Sequence, residues 1–270
     1  MDLTAIDRLA CEYLKHEQLY RRGRSEITDQ EFDAIEKELI RVAPDHPAFR
    51  CVESGRKLLS LGNQAPENWL KTLPKNTKLI VQPKIDGVAI ALRYVNGKLV
   101  KAWTRKGVDK TERIKLVDNI PQILWHIDEV DPRGSVFEIR GELFAPNREA
   151  AQSQRLAAGF LRKKFAKDAE GLSFVAYEII NSNSSIFLKT EKEQLDNLHQ
   201  WCFETPVTWE EEGNLKRMHD LWLDGKFYNY ELPSDGIVVK VADRELQQKL
   251  GADSKCPHWA LAIKSIWKTE

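Results

Sequence analysis

The chain has no run approaching the roughly 18 apolar residues of a membrane span. Its N-terminus, Met1-Asp2-Leu3-Thr4-Ala5-Ile6-Asp7, carries acids and no apolar h-region, so it does not read as a secretory signal. Cysteine is sparse: Cys11, Cys51, Cys202 and Cys256 lie far apart with no Cys-x-x-Cys, which argues against a zinc site and against a disulfide scaffold. Net charge is missing as well. Lys plus Arg and Asp plus Glu each number 41, so only local patches could signal a nucleic-acid partner. The absence of Gly-x-Gly-x-x-Gly argues against a Rossmann site. No internal repeat or low-complexity tract is visible. The expectation is a soluble, cytoplasmic protein, and its 270 residues make one large domain or two smaller ones.

Two regions differ in pattern. Residues 2 to about 21 carry Leu3, Ile6, Leu9, Ala10, Tyr13 and Leu14 at helical spacing, and a second helix follows the break around Ser25 and runs to about Val42. Thr28 with Glu31 three residues later predicts a capping box at its start, and Pro44 and Pro47 close it. From about residue 78 the period changes to two. Strands are predicted at 79–83, 88–95, 98–104, 136–144, 173–180 and 235–242, with an Asn96-Gly97 hairpin turn between the second and third. Helices are predicted at 111–127, 147–167, 190–202 and 212–224. Hairpin-linked strands with inserted helices imply an α+β fold of mainly antiparallel sheets, plus a small N-terminal helical hairpin.

One segment stands out chemically. Lys84-Ile85-Asp86-Gly87 lies between two apolar stretches, and residues two apart in a strand point to one face. Lys84 and Asp86 therefore either look into one cavity or form a surface pair on a hairpin edge. Gly87 would let the chain bend or approach a ligand closely.

Later segments share that chemistry. Lys84-Ile85-Asp86-Gly87, Arg140-Gly141-Glu142, Ser234-Asp235-Gly236-Ile237-Val238-Val239-Lys240 and Trp259-Ala260-Leu261-Ala262-Ile263-Lys264 resemble, in order and spacing, the motifs of covalent nucleotidyltransferases. With Leu58-Leu59-Ser60-Leu61-Gly62-Asn63 and the helical hairpin, the closer likeness is to the adenylation domain of NAD-dependent DNA ligases. The resemblance covers nearly the whole chain. It implies an ATP-grasp-like core at 56–270 and a helical NAD- and NMN-recognition subdomain at 1–55. It ends just after Lys264, where the family's further DNA-binding modules would begin. Self-adenylation with poor nick sealing is therefore the expectation for this chain alone.

The resemblance implies a reaction in which the Lys84 amine attacks a phosphate of NAD, nicotinamide mononucleotide leaves, and lysine-AMP forms for transfer to a DNA 5′-phosphate. A free lysine titrates near about 10.4, so nearby cations, Lys240 and Lys264, are expected to favour the neutral amine and to stabilise charge on the phosphate. Glu142 is implied by the ribose, Arg105 at the nucleotide sugar, and Ser60 and Leu61 in the strip before the first motif. Gln82 would meet the adenine amino group. Val238 covers one adenine face and Tyr177 stacks on the other, although a strand tyrosine can equally be plain core. Asp86 is a structural partner for the lysine loop or for metal-bound water. Tyr20, Asp29 and Asp33 match the NMN-recognition set, while Asp29 alone could merely charge a helix start. Arg155 and Arg162 match arginines that engage the NMN phosphate or DNA. They belong to a run of five cations between Arg155 and Lys167 with no acid, either a solvated helix face or a phosphate contact.

NAD and magnesium are the implied cofactors, with no dedicated protein metal cage. The implied partner is nicked duplex DNA, met by a monomer away from any membrane. Departures from the family pattern fall at Gln82 (usually glutamate), Arg21 (histidine), Phe32 (tyrosine), the loop Lys106–Lys110, and Phe227, where an arginine is usual. Most touch nucleotide or nicotinamide recognition. The alternatives are a catalytically weak NAD- or nucleic-acid-binding module of the same fold, or an ATP-using ligase.

Overall fold

Helical periodicity at the N-terminus and two-residue alternation beyond it produce two separate compact units, Met1–Arg56 and Lys57–Glu270. The computed structural model describes residues 5–21, 26–42, 59–95, 97–124, 136–163, 165–181, 188–226, 232–253 and 256–267. In the first unit, helices α1 (Ala5–Arg21) and α2 (Asp29–Val42) pair through Ala10, Tyr13 and Leu39, with the Tyr13 and Phe32 rings stacked at 5.5 Å. The capping box forms as the sequence predicts. Glu31 Oε2 accepts from the Thr28 backbone N–H at 2.7 Å, and Thr28 Oγ1 accepts from the Glu31 N–H at 3.3 Å.

The second unit holds two four-stranded antiparallel sheets, so the α+β reading stands. One sheet runs in the order β6 (Trp209–Glu211), β1 (Leu79–Ile85), β7 (Ser234–Val241), β8 (Ala260–Lys264). The other runs β3 (Lys98–Thr104), β2 (Val88–Val95), β4 (Val136–Phe144), β5 (Ser173–Asn181). The chain passes from the first sheet to the second between Ile85 and Val88, through Asp86-Gly87. Helices α3 (Pro66–Lys71), α4 (Thr111–Ile114), α5 (Ala150–Arg162), α6 (Glu191–Gln200), α7 (Leu215–Leu223) and α8 (Arg244–Leu250) fill the connections.

Alternation decides what each sheet face does. In the first sheet Leu79, Val81, Ile237, Val239, Val241, Leu261 and Ile263 pack on Trp69, Leu215, Met218 and Trp222. Its other face carries the register rows Gln82–Val238–Ala262 and Ile80–Lys240–Ala260. In the second sheet Ile90, Leu92, Tyr94, Phe137 and Ile139 join the larger core beneath α5 and α6. Its other face carries the cross-strand partners Ala89–Glu142, Ala91–Arg140 and Arg93–Glu138. Each sheet therefore has one oily face and one face that carries the polar groups.

The structure corrects several sequence boundaries. The helix expected over 111–127 is only the single turn α4. It ends at Ile114, and five residues on the Asn119 side chain accepts from Phe174 N at 2.9 Å and donates to Phe174 O at 2.8 Å, pinning the following stretch to the start of β5. The helix expected over 147–167 is α5 alone, since Lys163 turns extended. Strands β6 and β8 and helices α3 and α8 are too short for a period to show. Gly97, after β2, has φ +75°, as the hairpin turn requires, while Asn96 lies outside the described residues.

Candidate active site

Two glycines set the site by letting backbones come close. A Cβ at Gly87 would stand 2.1 Å from the Leu143 carbonyl oxygen, and one at Gly236 would stand 2.2 Å from the Ile263 oxygen. Gly87 thereby lets the sheet crossover lie against β4, and Gly236 lets β7 lie against β8. Lys84, at the end of β1, and Asp235, at the start of β7, meet at this junction. Lys84 Nζ lies 2.6 Å from Asp235 Oδ1, with both side chains about one-fifth exposed. Lys264 Nζ lies 3.1 Å from the other oxygen, Asp235 Oδ2, and is more exposed. One carboxylate thus holds two of the predicted lysines.

Glu142 reaches the junction from β4. Its carboxyl is pushed up to about 8, chiefly by burial. Lys84 and a hydrogen bond from the Gly87 N–H oppose the shift, while Asp86 and Asp235 reinforce it. Burial thereby favours the neutral acid, which can donate a hydrogen bond. Asp86 is raised in the same direction by burial and by Asp235, against Lys84 and Lys264. Its Oδ1 accepts from Gln154 Nε2 of α5 at 3.2 Å, which ties the lysine loop to that helix.

Lys240 is nearly buried, at 5 % exposure. Its ammonium donates to Glu191 Oε2 and to the Tyr177 carbonyl, each at 3.1 Å, and lies 5.6 Å from the Tyr177 ring centre. Lys240 thus joins β7 of one sheet to β5 of the other. Its charge, like that of Lys264, is matched to a carboxylate in this arrangement. Burial raises the Tyr177 hydroxyl well above its ordinary range, and the carboxylates of Glu142 and Glu178 add to the rise. Gln82, 2 % exposed, donates from Nε2 to Thr208 Oγ1 at 3.3 Å. Val238 is its register partner on β7.

Arg105 and Ser60 also meet, with Nη1 donating to Oγ at 2.8 Å. The Ser60–Leu61 strip is held in place because the next residue, Gly62, accepts from Ala262 N of β8 at 2.8 Å. Arg155 and Arg162 are exposed on α5, seven residues apart and so on one side of the helix. Lys163, in the same basic run, is paired with Glu170 at 2.5 Å. Tyr20 lies in α1, and Asp29 and Asp33 lie in α2, but their side chains fall outside the described residues. Phe227 and Lys164 also lie outside them. Sequence reasoning named no role for Asp235 or Glu191. The signal for Asp235 was present in Ser234-Asp235-Gly236, whereas Glu191 carries no local motif.

Residues 48–267 match the model of the NAD-dependent DNA ligase adenylation domain. The chain belongs to that family. It is 30% identical to the DNA ligase of Endomicrobium trichonymphae, covering 96% of this chain and 45% of that protein. To the DNA ligase of Bacillus subtilis strain 168 it is 29% identical, covering 96% of this chain and 44% of that one. The chain spans less than half the length of these curated relatives. Among solved structures, one described as Pmar-Lig_Pre aligns over 89% of this chain and 52% of its own, at TM-score 0.51 and 12% identity, which supports the fold alone. Lys84, Lys264 and Glu142 come together at one junction between the two sheets, whereas Lys240 is held by Glu191 and the Tyr177 carbonyl instead. Among the described residues no helix is long and apolar enough to cross a membrane. Nor, among them, could any group of three or more His, Cys, Asp or Glu hold a metal ion.

Proposed function

We propose that this chain is the self-adenylating part of an NAD-dependent DNA ligase, with Lys84 as the nucleophile. The observation that carries the reading is Lys84 and Lys264 on the two oxygens of Asp235 with Glu142 beside them, on a fold whose family uses NAD. In the reaction a nitrogen–phosphorus bond forms between Lys84 Nζ and the adenylyl phosphorus. The phosphorus–oxygen bond to nicotinamide mononucleotide breaks, and its electron pair leaves on the mononucleotide phosphate. Nζ loses two protons in all, one to solvent before attack, which makes the neutral amine, and one to solvent after the nitrogen–phosphorus bond forms. Lys84 must first part from Asp235. Lys264 then remains on the opposite oxygen, so the carboxylate is not left alone.

The remaining roles follow the family resemblance. Lys240 and Lys264 stabilise charge developing on the phosphate and leaving group, which is most of what such a transfer asks of a protein. Glu142 and Arg105 hold the ribose, with Ser60 orienting Arg105 and Leu61 lining the same strip. Val238 and Tyr177 sandwich adenine, and Gln82, its nitrogen engaged by Thr208, offers its amide oxygen to the adenine amino group. Asp86 fixes the lysine loop. Magnesium keeps several waters and binds largely through substrate phosphates. Here it would add positive charge at the phosphate, and Asp86 and Asp235 are the junction carboxylates that could hold its waters. In this reading residues 1–55 recognise the nicotinamide half through Tyr20, Asp29 and Asp33, and residues 56–270 adenylate. Arg155 and Arg162 would meet the NMN phosphate or the phosphates of nicked DNA, the proposed final acceptor.

The test is intact mass after incubation with NAD and magnesium, beside a parallel incubation with ATP. The reading expects one added AMP with NAD and little with ATP. An adduct with ATP alone would reassign the donor, and no adduct with either would remove the activity.

A further inference from the structure

The densest polar cluster away from the Lys84 junction centres on Glu191, the first residue of α6, whose side chain is 1 % exposed. Four donors reach its carboxylate. Lys240 Nζ at 3.1 Å and Gln194 Nε2 at 3.2 Å meet Oε2, and Arg244 Nη1 at 3.3 Å and Gln247 Nε2 at 2.9 Å meet Oε1. The backbone is fixed too, since Glu191 N donates to Ala242 O at 2.9 Å, in the turn that follows β7. Gln194 extends the cluster to the second sheet by accepting from Ile179 N at 2.8 Å and from Arg244 Nη1 at 2.7 Å. One buried anion therefore faces two cations.

That imbalance has a use. A buried ion pair that loses one partner leaves an uncompensated charge, which is strongly destabilising. If Lys240 were the sole partner of Glu191, it could not turn toward a substrate phosphate without stranding the carboxylate. With Arg244 on the other oxygen, the carboxylate stays paired while Lys240 is shared with the phosphate. We infer that Glu191 is a positioning residue for Lys240 and that Arg244 is the standby partner that lets Lys240 engage the nucleotide. The inference rests on the adenylating role proposed above for Lys240.

The experiment is single-turnover formation of the AMP adduct from saturating NAD and magnesium, followed by intact mass, with thermal unfolding of each variant. Glu191→Gln and Arg244→Gln are each expected to slow adduct formation about tenfold or more. Arg244→Lys should restore most of the rate, because it returns a cation to Oε1. Glu191→Gln should have little effect in a Lys240→Ala background, since a residue acting only through Lys240 cannot matter once Lys240 is gone. A merely structural cluster predicts lower melting temperatures with unchanged rates, and that result in either single variant overturns the inference. If Glu191→Gln does not fold, or Lys240→Ala gives no measurable rate, the comparison of Arg244→Gln with Arg244→Lys decides alone. Equal rates for those two variants count against it. A wild-type protein that forms no adduct would instead overturn the underlying adenylation reading.

Discussion

Lys84 Nζ lies 2.6 Å from Asp235 Oδ1, so the proposed nucleophile is held as half of an ion pair by a residue 151 positions away. The same carboxylate holds Lys264 at 3.1 Å. Asp235 therefore keeps two cations within one small site, and it adds to the upward push on Glu142 and Asp86. The charge logic of this junction gives a prediction that can be checked without substrate.

Glu142 binds its proton more tightly folded than unfolded. A group raised in this way contributes stability that is present below its unfolded pKa and is lost as pH rises through its folded value, here about 8. Stability should therefore decline between the ordinary glutamate range and about pH 8, with Asp86 contributing in the same direction. Glu142→Gln should flatten much of that decline in denaturant melts taken across the range. An unchanged slope would mean that Glu142 is ionised in the folded protein.

Two glycines should respond oppositely to alanine. At Gly87 the new Cβ would stand 2.1 Å from the Leu143 oxygen, so Gly87→Ala should destabilise by about 1–3 kcal/mol and disturb adenylation. Gly159 lies inside α5, and a Cβ there meets nothing within 4 Å. Gly159→Ala should stabilise by about 0.5–1 kcal/mol. Thermal unfolding of the two variants measures both signs.

The capping box should be measurable within the first unit. Thr28→Ala removes the side chain that bonds the Glu31 N–H and should cost about 1 kcal/mol of α2 stability. Amide exchange across Asp29–Val42 should quicken accordingly, whereas unchanged exchange would show that the cap is not formed in solution.

If residues 1–55 recognise the nicotinamide half, Asp29→Ala and Asp33→Ala should slow adduct formation from NAD by about tenfold or more while leaving the melting of the second unit unchanged. Equal rates in wild type and both variants would move nicotinamide recognition elsewhere.

Much of this architecture could be read from the sequence because it rests on local periodicity. Alternation at 88–95 and 98–104 marks β2 and β3 to the residue, and Thr28 with Glu31 marks the start of α2. Three-residue β6 and five-residue β8 carry too little pattern to declare themselves. The longer helix that the pattern after Thr111 suggests gives way to tertiary contacts, among them Asn119 with Phe174, 55 positions on. The motif lysines were legible because each sits in a recognisable string. Asp235 sits in one such string too, but its pairing with Lys84 does not show there, and Glu191 carries no motif at all, because both matter through pairings across the fold that no spacing encodes.

The most direct test is to map the adduct. After incubation with NAD and magnesium, proteolysis and tandem mass spectrometry should place AMP on the peptide containing Lys84, on Nζ, and Lys84→Ala should abolish it while still folding. AMP on another residue, or an adduct that persists in Lys84→Ala, would contradict the account.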